Sequence, residues 1–510
     1  MLTHRPSQRY TLWLVIAGAL LAVLSGWAVA IYSSAAPVII LAMGLAGLLL
    51  LGIRRRRLYY PLVVLFFVPT FLYGGIWLKY RLWIGGIPVN IIDVLVVLTG
   101  MSACLSLIGD RDQELPRRKA SLAGLMLAFL GVNLIAGLQG LLCNYPLYYV
   151  IQHTSSPIYL AIIYFSTLAL IHDDGQIELL VKVLLIGALI ASIEQVLYFL
   201  FPSLGYSPIL NRAGFFRALP SQLDQDNLSR LPASSAIQLY RNALIPSGHV
   251  LRAAILLVSG MLVGSNLLSR TRSYLLLFLY ILAIVLTFSR GLWATTVVSL
   301  LALFIIAGDQ GGRRTRVVGK ILVILVVCLL AFWALDALLP RSVNFVQAAF
   351  ERLDQLTQVP DALSSPAVSE EVGAKGRLSM ARMSLKTVLE GDLFTLFLGR
   401  GHGFQGGGNK AHGSFAFYLS QAGVIGLGIL LLMMLLGAKR GLEIQRRASS
   451  TLHKMTAMGL VIAVVVYGGV SGLGSGPFSS VANMPFWGVS FALLDIMAYR
   501  SIESAGNRLE

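Results

Sequence analysis

Four groups of side chains in this chain have the types and spacing to handle an anionic group at the edge of an apolar phase. Arg212, Arg217, Arg230, Arg241 and Arg252 crowd one polar connection. Guanidinium forks match phosphate oxygens two at a time, and a phosphate beside a membrane needs paired charge more than one in water. Solvated loop charge is the plainer use of about half of them. Thr287, Phe288, Ser289, Arg290 and Gly291 form a short turn between two apolar stretches. Arg290 is thereby forced to a membrane edge, where it pairs, faces a wet cavity or snorkels as an anchor. Arg377, Arg382 and Lys386 have the spacing to share part of a helix surface, which suits either a specific anion or lipid headgroups. The run Gly399, Arg400, Gly401, His402, Gly403, then Gly406 to Gly408, Lys410 and His412, offers backbone amides that an anion can approach closely. A flexible turn is the bland use of such a run. His412 sharpens it, because an imidazole at a membrane edge exchanges a proton near neutral pH.

The elements that position these groups follow from composition. The 510 residues are 56% hydrophobic and only 12% charged, where soluble chains carry about 25% charge. With a mean hydropathy of +0.77, no single water-soluble core could hide this much apolar surface, so the expectation is an all-α polytopic membrane protein. The net charge of +17 is then read as topology, and no nucleic-acid partner is expected. Cys104, Cys143 and Cys328 are odd in number and scattered through apolar segments, which fits buried small hydrophobes and neither a disulfide framework nor a zinc pattern. The first apolar stretch, 11 to 32, is long enough to span and lacks a cleavage site, so it is read as a first helix.

Hydropathy gives fourteen spans of about 20 residues. They fall near 11–32, 35–53, 60–78, 91–109, 120–142, 155–172, 177–201, 249–268, 273–289, 291–308, 320–339, 413–437, 455–473 and 483–499. With both termini cytoplasmic, the inner connections hold Arg54 to Arg57, Arg111, Arg117, Arg118, Lys119, Arg313, Arg314, Arg316 and much of the remaining positive charge. Only Lys79, Arg81 and Arg290 break the rule in short outer loops. The chain divides into N-terminal spans (1–201), a long external loop (202–248), central spans (249–339), a larger external loop with amphipathic helices (340–412) and C-terminal spans with a cytoplasmic tail (413–510). In the larger loop, Phe345, Val346, Ala349, Phe350, Leu353 and Leu356 suit a helix lying on the membrane, and a second helical stretch runs from Arg377 to Leu389. The outer loop 143–154 carries Tyr145, Tyr148 and Tyr149, which would stack on sugars or form an aromatic belt.

Acids inside the spans are sparse: Asp93, Glu194, Asp336 and Asp495, the first three toward the outer ends. An ion-coupled carrier needs ionisable groups near the membrane centre, which lowers its prior. Asp224 and Asp226 stand without a histidine, so no metal site is expected.

Three stretches, in order, resemble the O-antigen ligase and O-antigen polymerase superfamily of GT-C-type bacterial membrane glycosyltransferases. They are Arg241 through Pro246, Gly248 and Leu251; the segment LTFSRGLWATTVVSLL; and GRLSMARMSLKTVLEGDLFTLFLGRGHGF followed by AHGSFAFYLSQAGVIGLGILL. Together they cover roughly residues 205 to 437. Gly413 stands where the family usually has asparagine, and the family's tryptophan is missing around Met380 to Met383. Members often have about twelve spans, so the expected range is 12–14.

The resemblance implies a multi-pass protein of the bacterial inner membrane, its active site facing the periplasm. It would transfer a glycan from undecaprenyl diphosphate to a glycan or lipid A-core hydroxyl, with inversion and without a metal or other cofactor. Arg241, Arg290, Arg377 and Arg400 would clamp the diphosphate, because fixed guanidinium groups can stabilise the charge of that leaving group. His412 would act at the acceptor hydroxyl as base or orienting group. Arg212, Arg217, Arg382, His402 and Lys410 are secondary candidates. The competing expectation is a transporter or flippase of lipid-linked sugars, and a third is a non-catalytic assembly scaffold.

Overall fold

The computed structural model describes residues 58–71, 82–84, 87–89, 91–109, 121–200, 247–287, 289–307, 312–338, 384–404, 413–474, 477–478 and 480–506. Within them the chain is helical apart from one small hairpin. The helices are α1 (Tyr60–Phe71), α2 (Ile91–Gly109), α3 (Ser121–Leu142), α4 (Leu147–Leu170), α5 (Asp174–Leu200), α6 (Ser247–Val263), α7 (Arg270–Val285), α8 (Arg290–Ile306) and α9 (Arg313–Leu338). A short helix α10 (384–389) follows, then α11 (Leu393–Leu398), α12 (Ser414–Arg447), α13 (Thr451–Ile462), α14 (Gly468–Gly474) and α15 (Met484–Gly506). The hairpin pairs β1 (Leu82–Ile84) with β2 (Ile87–Val89) antiparallel, Trp83 opposite Pro88. The hairpin lies in a connection and leaves the helical class expected from the sequence unchanged. Two glycines separate the strands in the sequence, the composition that a tight hairpin turn favours.

Five helices are long and apolar enough to cross a membrane among the described residues: Leu122–Leu142, Asp174–Leu197, Arg313–Ala334, Ser414–Arg447 and Thr451–Leu473. Shorter apolar helices cover Tyr60–Pro69, Ile92–Ile108, Gly248–Val263 and Gly291–Ile306. The outer faces of these helices are apolar and suited to lipid. Leu142 is 83% exposed, Ile305 75% and Ile108 69%, an exterior that only lipid makes favourable. The interior is built around α4, which packs on α2, α3 and α15, and around α6, which packs on α5, α7 and α13. Trp487, Tyr164, Phe129 and Phe199 are fully buried there.

Several elements differ from the sequence expectation. The outer loop 143–154 shrinks to the residues around Asn144, because α4 already starts at Leu147 and takes Tyr148 and Tyr149 into its first turn. Cys104 and Cys143 are exposed and only Cys328 is buried. An apolar segment of a membrane protein has a lipid face, so hydropathy alone does not place a small side chain inside. Arg313, Arg314 and Arg316, expected in a connection, form the first turn of α9. Arg252, grouped by type with the arginines of the preceding connection although the expected span 249–268 includes it, lies in α6 and is fully buried. The expected spans at 11–32 and 35–53, the amphipathic stretch 345–356 and most of the two long loops lie outside the described residues.

Helix directions alternate, so each end of the bundle collects the same ends of successive helices. One end gathers the C-terminus of α3, the N-termini of α4, α6, α8, α12 and α15, and the segment 399–404. The other gathers the N-termini of α5, α7, α9 and α13, where His453 Nε2 and Asp174 Oδ1 meet at 2.9 Å.

Candidate functional site

Helix α12 is broken near its start, and the break receives the glycine-rich run. Gly423 adopts φ 66°, ψ −167°, a conformation that interrupts the helical ladder and that residues with a Cβ rarely take. A Cβ there would also lie 2.3 Å from the Phe397 carbonyl oxygen. The break leaves the carbonyls of Ser420 and Gln421 open, and the Arg400 and Gly401 N–H groups donate to them at 2.9 and 3.1 Å. The His402 N–H donates to the Ala136 carbonyl at 2.8 Å, and the Gly403 N–H to His153 Nδ1 at 3.2 Å. Gln139 closes the run from α3, donating from Nε2 to the Gly399 carbonyl at 3.0 Å. Irregular backbone at this depth survives because protein groups satisfy each amide, as the bilayer could not. The alternation of glycine with Arg400 and His402 is therefore a threading pattern: Gly399, Gly401 and Gly403 all carry positive φ.

His402 is fully buried by this threading. Its Nε2 donates to Asn133 Oδ1 at 3.2 Å. That assignment follows from Asn133 Nδ2, which already donates to the Phe129 carbonyl at 2.8 Å and leaves only the oxygen to accept. Burial, aided by the repulsion of His153, lowers the His402 pKa to about 3, so the ring is neutral at physiological pH. A neutral, enclosed imidazole fastens the segment to α3 and supplies no charge to an anion. Arg400 points the other way. It is half-buried, with its guanidinium 5.4 Å from the Phe404 ring centroid, and Phe404 in turn meets Tyr145 at 6.1 Å. Burial raises the Tyr145 pKa, with Cys143 adding to the rise and Arg400 opposing it.

The second group lies on the other side of the first two turns of α12. Phe417 on one side faces His153 at 4.9 Å and His402 at 6.3 Å. Tyr418 on the other donates to the Phe478 carbonyl at 2.8 Å, and Phe478 stacks on Trp487 at 4.3 Å. Trp487 is one wall of a box around Arg252. The Arg252 guanidinium carbon lies 4.8 Å from the Trp487 ring, 4.1 Å from Phe486 and 4.6 Å from Tyr467. Tyr467 reaches it because α13 passes into one π-helical turn, Ala463–Tyr467, which resets the face presented by the residues that follow. Arg252 Nη2 donates to Asn483 Oδ1 at 3.1 Å, and Nη1 lies 3.3 Å from His249 Nδ1.

Among the described residues Arg252 forms no ion pair, and its Nε has no hydrogen-bond partner. The rings attract the cation through their faces without cancelling its charge. A guanidinium held this way keeps a net positive charge in an apolar surround, where its field on a nearby anion is far stronger than in water.

The expected site residues distribute as follows. Arg400 and His402 join at the broken helix. Arg290 opens α8, which packs against the π turn and α14, so its backbone shares an end with Arg252 and Arg400. Arg212, Arg217, Arg241, Arg377, Arg382, Lys410 and His412 lie outside the described residues, His412 one position before Gly413, the N-cap of α12. His153, Asn133 and the aromatic box were missed by sequence reasoning. The box had a usable signal, since Arg252 interrupts the apolar run Val250, Leu251, Ala253, Ala254. No family model matches the chain, and no curated protein matches it.

Proposed function

We propose that the chain is a bacterial inner-membrane glycosyltransferase of the O-antigen ligase or polymerase type, with about fourteen spans and a GT-C-like fold. It moves a glycan from undecaprenyl diphosphate to an acceptor hydroxyl at the periplasmic side, which in this reading is the Arg252 end of the bundle. The observation that carries the reading is Arg252, a fully buried guanidinium without a carboxylate among the described residues. A cation so placed is costly unless an anion uses it, and a diphosphate leaving group gains negative charge as its bond to the sugar breaks.

In the proposed reaction the acceptor oxygen attacks the anomeric carbon while the bond from that carbon to the diphosphate oxygen breaks. The bonding pair leaves with undecaprenyl diphosphate, the acceptor proton passes to His412, and configuration inverts. Arg241, Arg290, Arg377 and Arg400 contact the diphosphate. Arg252 acts from beneath them as a positioning charge, and the run from Gly399 to Gly403 sets where Arg400 stands.

The break at Gly423 favours a second reading, a transporter or flippase of lipid-linked sugars, because discontinuous membrane helices build many carrier sites. Purified protein given a lipid-diphosphate glycan and candidate acceptors separates the two by mass spectrometry. A new glycosidic bond, lost in His412→Ala and Arg290→Ala, supports transfer. Movement of unmodified lipid-linked glycan across a reconstituted bilayer, with no new bond, overturns it.

A further inference from the structure

A cavity of about 590 Å³ lies at the opposite end of the bundle, between α6, α7 and α9, with Met455 of α13 at its edge. Its inner wall is apolar, formed by side chains such as Leu185, Leu256 and Met261. Its mouth is cationic: Arg270, Arg313, Arg316 and Lys320 line it, with no acidic residue among the described residues that do. All four are exposed, so their charge is free to meet a ligand. Arg313 Nη1 donates to the Val263 carbonyl at 3.0 Å, and Lys320 Nζ sits 4.6 Å from the Tyr274 ring centroid. These contacts hold both cations at the rim without neutralising them.

Two helices begin here, α7 at Arg270 and α9 at Arg313. Helix starts carry partial positive charge and unpaired N–H groups, so acidic residues normally fill the first turn. Neither helix has one, and both place arginine there instead. Cations set against two helix dipoles concentrate positive potential at one opening, which a bare topological signal does not require. A largely polar, cationic opening above an apolar floor at Leu185, Leu256 and Met261 matches a phosphate group, free or carried as the head of an amphiphile.

We propose that this cavity binds a phosphate-bearing anion, from a phospholipid headgroup or a soluble phosphate, at a site separate from the Arg252 end. The test uses the full chain, delipidated in neutral detergent. Thermal unfolding is followed while phosphatidylglycerol, phosphatidylcholine or inorganic phosphate is titrated, in wild type, Arg313→Gln/Arg316→Gln and Arg270→Gln/Lys320→Gln. Arg446→Gln/Arg447→Gln, two basic residues at the C-terminus of α12 that do not line the cavity, serve as control. The expected result is saturable stabilisation by phosphatidylglycerol, weakened at least tenfold in apparent Kd in either cavity variant and unchanged in the control. Stabilisation by inorganic phosphate with the same variant pattern assigns the site to a soluble phosphate. Equal shifts with phosphatidylcholine, equal affinity in the folded cavity variants, or no shift with either anion overturns the proposal. Where one double variant does not fold, the other reads the same interaction.

Discussion

The two ends of the bundle treat buried charge differently. At the Asp174 end, charge is matched. Asp495 is nearly inaccessible, yet Tyr164 Oη donates to its Oδ2 at 2.6 Å, the Leu122 N–H donates to the same atom at 3.3 Å, and Arg440 Nε lies 3.9 Å from Oδ1. Asp174 meets both His453 and Arg500. At the Arg252 end no described carboxylate pairs with Arg252, which has rings, an amide and an imidazole around it but nothing that cancels its charge among the described residues. Both arrangements bury an ion, and only one neutralises it. A matched pair is what a fold needs to survive its own buried charge, whereas an unmatched one is the feature on which the proposed anion site rests.

This contrast breaks most sharply on substitution. Arg252→Gln keeps a polar amide while removing the charge and shortening the side chain, and it is expected to lower glycan transfer by roughly a hundredfold or more. Arg252→Lys retains the charge and loses the planar stacking, so it is expected to fall between Gln and wild type in initial rate. Asp495→Ala leaves Tyr164 Oη and the Leu122 N–H without their acceptor and is expected to lower stability by about 3 kcal/mol. Its transfer rate per folded molecule should match wild type. Melting in detergent alongside a rate assay separates the two outcomes.

Gly423→Ala tests whether the Arg252 end depends on the broken helix. A Cβ at that φ and 2.3 Å from the Phe397 carbonyl oxygen should cost about 2 kcal/mol, read as a lower melting temperature with a reduced transfer rate.

His402 gives a smaller, pH-dependent signal. Its folded-state pKa of about 3 lies below the ordinary value of 6.5, so the unfolded chain binds the proton first as pH falls. The stabilisation is therefore whole above pH 6.5 and drains away as pH drops toward 3. Melting at pH 7.5 and at pH 5 should show a loss on acidification that His402→Gln reduces. Smallest of all is Arg500→Ala, which removes one of two partners from a half-exposed Asp174 and should cost about 0.5 kcal/mol.

Much of the helical frame was legible in the sequence, and the reasons it stopped being legible are physical. The expected span 91–109 coincides with α2, and 120–142 with α3 to within one residue, because both are unbroken apolar runs ended by polar connections. Helix α12 outran its expected end at 437 and continues to Arg447, since Lys439, Arg440, Arg446 and Arg447 lower hydropathy without ending a helix. Arg252 fell inside the expected span 249–268 but was grouped with the loop arginines by residue type, and nothing local announces that Tyr467, Phe486 and Trp487 wait for it more than 200 positions away. The break at Gly423 is invisible beside Gly426 and Gly428, glycines of the same apolar run that stay helical. What singles it out is the tertiary partner, the segment 399–401, which takes the two freed carbonyls. His402 stood out as a candidate by type, but its role as an enclosed neutral fastener depends on Asn133 and His153, which only the fold brings near.

In the proposed site the unmatched charge of Arg252 positions the groups that contact the donor diphosphate, and its removal should weaken donor binding. Equilibrium binding of a radiolabelled undecaprenyl-diphosphate glycan to purified wild type, Arg252→Gln and Asp495→Asn, each checked for folding by its melting curve, tests it most directly. The account predicts affinity at least tenfold weaker in Arg252→Gln and unchanged in Asp495→Asn. Equal affinity in all three folded proteins would contradict it.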